Sequence, residues 1–303
     1  MDSYTQETQS WLDKRFQQTD EDGVYFAHQP IYGFRKGHSE FGMVNRYAIT
    51  YHTACALAHL RAESFLDVGG AEGYKAALMR ALFGWRVTSV DLSEAACRRA
   101  RELFGVEGRS VDIHALPYEE DAFDVVLCSE TLEHVADIQG AARELFRVAA
   151  KALVITVPHE PEDVVQENIR QKIPHAHIHS LNTGSFDFLA PQAAAIHVRR
   201  YHHPRMMFVN NLAEGMKKPS VGRSGRMATR LYNALSPFVA ALVGRRAVAG
   251  LIHLDAWLTA RFAPYGGMVF TILKDADAYR AQPLRPVQVR DILDFGVPLH
   301  YPR

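Results

Sequence analysis

The chain has 303 residues, 48% hydrophobic and 22% charged, proportions that exclude wholesale disorder, collagen-like repeats and long coiled coils. Its 34 basic and 34 acidic side chains cancel to a formal charge of +0, which leaves no global field to attract nucleic acid or an anionic membrane. Three widely spaced cysteines, Cys55, Cys97 and Cys128, exclude a disulfide framework and a Cys-x-x-Cys metal site.

Residues 1–20 are polar and acidic, without the basic and apolar regions of a signal peptide. The segment opens a helical cap, 1–61, which continues through an aromatic stretch broken by Pro30 and Gly33 into an apolar helical run at 44–60. In the aromatic stretch, Tyr25, Phe26, His28, Tyr32, Phe34 and His38 combine ring surface with hydrogen-bonding tips, as expected of a lid over a ligand or, equally, of ordinary packing within a cap. His28, Tyr32 and His38 are therefore candidate substrate contacts. Short runs rich in Val, Ile, Leu and Phe follow at 64–68, 86–90, 124–128 and 152–157, separated by amphipathic runs at 74–82, 93–104 and 140–148. That alternation predicts an α/β core, 62–210, of buried parallel strands and crossover helices, with Ser93 as an N-cap.

Two later strands are predicted at 194–199 and 267–273, and the stretch between them is too long for a structureless connection. A helical insertion, 211–266, is expected there, with helices at 226–243 and 245–262 after a basic loop at 217–226. The region 226–262 mixes Phe238, Leu242, Leu251 and Trp257 with Arg226, Arg245 and Arg246, which suits a peripheral membrane contact, a homodimer face or plain packing. The longest nearly apolar stretch, 237–258, is interrupted by Arg245, Arg246 and Asp255, so no transmembrane helix is expected. The last strand and a Pro-punctuated tail make up 267–303. The expected location is cytoplasmic, with the membrane met at its surface or not at all.

The most informative segment is Phe65-Leu66-Asp67-Val68-Gly69-Gly70-Ala71-Glu72-Gly73-Tyr74, a strand that runs through a glycine turn into a helix. Such a turn admits a ligand against the backbone. A second strand ends at Asp91, eighteen residues beyond Gly73, where a carboxylate suits the two ribose hydroxyls of an adenosine-containing ligand. A G-x-G-x-x-G register starting at Gly69 or Gly70 would need glycine at Ala71 or Glu72, so the spacing disfavours a nicotinamide-dependent oxidoreductase.

Asp67, Gly69, Ala71 and Gly73 resemble the first motif of class I S-adenosylmethionine-dependent methyltransferases, an acidic residue followed by G-x-G-x-G, with Ala71 as the departure. The methyl of Ala71 restricts the positive φ that glycine adopts freely. Val111-Asp112-Ile113, the lead Leu116-Pro117-Tyr118 and the segment 128–135, Cys-Ser-Glu-Thr-Leu-Glu-His-Val, are similar to later motifs of the small-molecule, type 11 branch in the same order. The likeness covers 62–158, with 267–274 resembling the family's last strand.

The resemblance implies a doubly wound, Rossmann-like, seven-stranded and mostly parallel sheet whose last strand is antiparallel. It implies S-adenosylmethionine as cofactor, held by Asp67, Gly69, Gly70, Ala71, Gly73, Asp91, Leu92, Asp112, Ile113 and Glu130. The implied reaction is in-line methyl transfer to oxygen, nitrogen or carbon of a small-molecule, glycoconjugate or lipid-linked acceptor, with no nucleic-acid partner. His134 and His159 follow the fourth and fifth strands, where the family borders its substrate pocket, and are the candidate general bases, Glu160 standing beside His159 to orient it. His175, His177 and His179 alternate in sequence; a strand would align them for zinc or iron, whereas a loop scatters the rings, and no metal is expected. The alternative from another class is a non-catalytic binding module, which intact Gly69, Gly73 and Asp91 argue against.

Overall fold

Seven strands share one sheet, and those at its centre carry apolar side chains on both faces and so must be covered twice. They are β1 (Ser64–Val68), β2 (Arg86–Asp91), β3 (Glu107–Ser110), β4 (Phe123–Ser129), β5 (Ala149–Pro158), β6 (Ala195–Tyr201) and β7 (Gly267–Leu273). The computed structural model describes residues 3–19, 25, 27–32, 43–172, 175–207, 209 and 245–297. Strand order is β3-β2-β1-β4-β5-β7-β6. The first five strands pair in parallel, Phe65 lying opposite both Val87 and Val125, and β7 runs antiparallel between β5 and β6. The chain leaves β1 toward β2 on one side and later returns to β4 on the other. Their carboxyl ends therefore splay apart and leave a crevice, the place where open α/β sheets bind ligands.

The helices are α1 (Ser3–Arg15), α2 (Met43–Leu57), α3 (Tyr74–Phe83), α4 (Glu94–Phe104), α5 (Ile138–Val148), α6 (Glu162–Arg170), α7 (Arg245–Arg261) and α8 (Val289–Leu293). Strand alternation divides the core into two layers. Phe65, Val125, Leu127 and Val154 face the layer with Tyr47, Leu78 and Met79, while Leu66, Val126, Cys128 and Leu153 face the layer with Leu145 and Phe146. Each such fully buried side chain contributes roughly 1.5–3 kcal/mol. Ser93 caps α4 as the sequence predicts, its Oγ accepting from the Ala96 amide at 3.1 Å.

Three features of the fold bear on function. The third strand occupies Glu107–Ser110, so Val111, Asp112 and Ile113 lie in the loop after it. The N-terminal segment, expected to open a helical cap, contains α1. Within the insertion, α7 is present, whereas the expected helix at 226–243 and the basic loop at 217–226 lie outside the described residues. Asp255 fastens α7 to the sheet edge by accepting from the amides of His202 at 3.0 Å and His203 at 2.7 Å. Leu254 and Trp257 of the same helix, and Phe262 just past it, are exposed. No helix among the described residues is long and apolar enough to cross a membrane.

Candidate active site

The glycine turn after β1 is built by close approach. Gly69 has φ 72°, and a Cβ there would stand 2.2 Å from Thr131 Oγ1, so only glycine lets the backbone pass the β4 loop. Gly73, at φ 74°, packs on Ala100 in the same way. Ala71, the departure from the family pattern, nonetheless adopts φ 48°, so the turn retains its left-handed step at some cost in strain. Its amide donates to Asp91 Oδ2 at 2.9 Å, and Asp91 Oδ1 accepts from the Ser93 amide at 2.9 Å. The turn and the end of β2 are thus locked side by side. Each Asp91 oxygen keeps further acceptor capacity, since a carboxylate offers about four lone-pair sites.

The turn faces a cavity of about 1170 Å³. Gly69, Ala71, Asp91, Leu92, Asp112, Ile113 and Glu130 all lie on its wall. Asp67 does not: it is buried beneath the turn with no hydrogen-bond partner for either oxygen among the described residues. Gly70 and Gly73 shape the turn from behind the wall. Burial pushes the carboxyls of Asp67 and Asp91 up to about 6, Lys75 partly offsetting the first and the Ser93 and Ala71 amides the second. Asp112 accepts from both the amide and the ring of His114, at 3.0 and 2.9 Å.

Three cations reach the same wall, Arg15 of α1, Arg46 and Lys75, and sequence reasoning passes over all of them. Arg46 projects from α2 and donates to the His28 carbonyl, and Lys75 projects from the first turn of α3. Burial lowers the Lys75 pKa against the opposing pull of Asp67, Glu130 and Glu133. The signal for Lys75 was a lone cation in an otherwise apolar helix start. Arg46 carried no comparable mark.

Among the described residues, α1 runs along the cavity wall, which Tyr4, Thr8, Trp11 and Arg15 line. Gln9 Nε2 donates to the Leu92 carbonyl at 3.0 Å, Tyr4 Oη donates to the His134 carbonyl at 3.1 Å, and Asp13 accepts from Ser93 Oγ at 2.5 Å. Tyr25 and Tyr32 are instead buried below it, at 0% and 1% exposure; His28 reaches the wall, and His38 lies outside the described residues. Glu72, inside the glycine turn, holds this layer down: its Oε1 accepts from Tyr25 Oη at 2.9 Å and from the His28 amide at 2.7 Å.

At the β4 and β5 ends the wall becomes ionisable. Glu133 is buried with Oε2 unpartnered, and burial together with neighbouring Glu130 raises its carboxyl well above the ordinary range. His134 lies on the wall under a stacked His175 ring at 3.8 Å; burial and the two adjacent imidazoles lower it to about 2. The 175–179 segment forms no strand and its rings diverge. His175 meets Trp11, His177 Nδ1 lies 3.0 Å from Glu160 Oε1, and His179 Nε2 donates to the Val135 carbonyl at 2.7 Å. Glu133, His134 and His177 bring one donor atom each within 4.8 Å of one another, near enough to share a cation. His159 is off the wall: its Nδ1 donates to the Leu181 carbonyl at 2.6 Å, its ring packs on Tyr265, and Glu160 pairs with His177 instead.

A family model described as a methyltransferase domain matches residues 66–157. Over 97 residues the chain is 42% identical to the ubiquinone biosynthesis O-methyltransferase of Bordetella parapertussis, a match covering 30% of this chain and 39% of that one. The chain spans well under half the length of the curated relatives it matches first. Among solved structures, Haemonchus contortus phosphoethanolamine N-methyltransferase 2, in complex with S-adenosyl-L-methionine, superposes with a TM-score of 0.54 at 20% identity, covering 88% of this chain and 60% of that one. Geranyl diphosphate C-methyltransferase from Streptomyces coelicolor A3(2) superposes at 0.51 and 16% identity, covering 90% and 98%. At these identities the structural likenesses establish the fold.

Proposed function

We propose, from the premise that residues 66–157 form a class I S-adenosylmethionine-dependent methyltransferase domain of the type 11 branch, that this chain transfers a methyl group from S-adenosylmethionine to a small-molecule acceptor. The observation that carries the reading is the lock between Ala71 and Asp91, which sets a glycine turn and a strand-end carboxylate together on one cavity wall. Asp91 would take the ribose hydroxyls, and Leu92 and Ile113 would flank the adenine. Arg46 and Lys75 would offset the methionine carboxylate, with Glu130 facing its ammonium. When bound, the cofactor supplies a sulfonium-activated methyl group, so the protein's task is to position an acceptor in line and to keep water away.

The cavity exceeds the roughly 300–1,000 Å³ usual for a single small ligand, leaving room for an acceptor beside the cofactor. That acceptor would enter between α1 and the β4 and β5 ends. Incubation with methyl-labelled S-adenosylmethionine and fractionated small metabolites tests the reading. Label is expected in one low-molecular-weight fraction, and labelling of no fraction by a protein that binds S-adenosylhomocysteine would reduce the chain to a non-catalytic module.

A further inference from the structure

Glu130 stands on the cavity wall just past β4, in a conformation that its own chemistry does not favour. Its φ is 55°, in the left-handed region that residues other than glycine occupy only where the surroundings hold them. Its amide donates to the Thr156 carbonyl at 2.9 Å, which ties the backbone to β5. The carboxylate is tied as well, Oε1 accepting from Tyr201 Oη at 2.7 Å and from Thr156 Oγ1 at 3.1 Å. Thr156 Oγ1 lies 2.6 Å from Ser129 Oγ; with its own proton given to Glu130, it accepts there from the serine. No described residue donates to Oε2. One carboxylate oxygen is thus taken by the protein and the other is left for a ligand.

The Tyr201 contact is made from the far edge of the sheet. Tyr201 ends β6, Gly267 lies opposite it at the start of β7, and Pro158 at the end of β5 lies opposite Gly267. A Cβ on Gly267 would stand 2.2 Å from Tyr201 Cε2 and 2.7 Å from its Oη, so the phenol crosses β7 in the space that a side chain would fill. The ring is fully buried. The Val157 carbonyl also lies 3.1 Å from Oη, but a phenol carries one proton, and the shorter contact with a charged oxygen takes it. Burial and the Glu130 charge hold the phenol well above its ordinary pKa, so the hydroxyl remains a donor at neutral pH. Phenylalanine would fill the same space, so what the hydroxyl adds is its bond to Glu130.

We infer that Tyr201 is a positioning residue of this site, its hydroxyl reaching across Gly267 to fix the Glu130 carboxylate on the cavity wall for the cationic amino group of the bound cofactor. The inference rests on the methyl-transfer reading, in which Glu130 faces that ammonium. It gives the antiparallel edge of the sheet a part in cofactor binding, although β6 and β7 lie away from the glycine turn. Tyr201 touches no ligand itself and acts through Glu130.

Calorimetric titration of the full chain with two ligands tests it: S-adenosylhomocysteine, and methylthioadenosine, which keeps the adenosine and the sulfur but has no amino group on its side chain. Tyr201→Phe is expected to weaken S-adenosylhomocysteine binding by about 10-fold and to leave methylthioadenosine binding within about twofold. Glu130→Gln should do the same, and the double variant should lose little more than either single one, because the tyrosine acts through the carboxylate. A proton NMR measurement serves even if Tyr201→Phe does not fold. The Tyr201 hydroxyl proton, buried and bonded to a charged oxygen, should be visible in the wild-type chain and move upfield in Glu130→Gln. Unchanged S-adenosylhomocysteine affinity in folded Tyr201→Phe, equal losses for both ligands, additive losses in the double variant, or a hydroxyl resonance indifferent to Glu130→Gln would overturn the inference. Failure of the wild-type chain to bind either ligand, with the hydroxyl resonance still answering to Glu130→Gln, would instead sink the methyl-transfer reading.

Discussion

The two halves of the cavity are made by different means. The half around β1 and β2 is set by backbone: a glycine turn threaded past Thr131, an alanine held left-handed, and one carboxylate accepting from two amides. The half around the β4 end is set by side chains drawn from α1, the β4 loop and His175 and His177, several of them buried, ionisable and incompletely satisfied. A backbone-built surface suits a ligand that never changes. A side-chain-built surface can be altered residue by residue to suit an acceptor and its proton chemistry.

If that contrast is right, the first half should respond to steric insult and the second to changes of charge. The largest effect is expected from Gly69→Val, whose side chain would occupy the space of the Thr131 hydroxyl: S-adenosylhomocysteine binding should weaken by about 3 kcal/mol or more, over roughly 100-fold, in a titration of the folded variant. Next is a pH effect. Asp67, raised to about 6 from 3.8, binds a proton in the cofactor-free fold that the unfolded chain has already released. Its contribution to stability is therefore full below about pH 4 and lost as pH rises through about 6. Denaturant unfolding of Asp67→Asn should show that fall flattened by an amount on the order of 2–3 kcal/mol.

Glu72→Ala probes the joint between the turn and the buried layer beneath α1. Leaving the Tyr25 hydroxyl and the His28 amide unpartnered should cost about 1–3 kcal/mol and hasten amide exchange at His28. Unchanged exchange would mean that the layer is held by packing alone. The smallest effect belongs to Gln9→Ala, which removes one hydrogen bond from α1 to Leu92. Faster release of S-adenosylhomocysteine, by about two- to fivefold in stopped flow, would mark α1 as a cover over this ligand.

The same division explains what could be read from sequence. Asp91 was legible because a fixed strand–turn–helix–strand spacing places it, and Ser93 because capping is local. Glu160 was matched to His159 by adjacency, yet the chain turns after Pro158 and sends the two side chains apart, one to His177 and the other to the Leu181 carbonyl. His177 could not be singled out from His175 and His179, because alternation carries meaning only in a strand and this segment is a loop. Tyr25 and Tyr32 went to the interior, where burial rewards them, and the polar α1 runs along the cavity wall; Phe34 and His38 lie outside the described residues.

The central claim, that the turn and Asp91 together form the seat of an adenosine-bearing cofactor, is tested most directly by calorimetric titration with S-adenosylhomocysteine. The account predicts one site, with affinity falling about 10- to 100-fold in Asp91→Ala while the variant remains folded. Absence of binding by the folded wild-type chain, or equal affinity in Asp91→Ala, would contradict it.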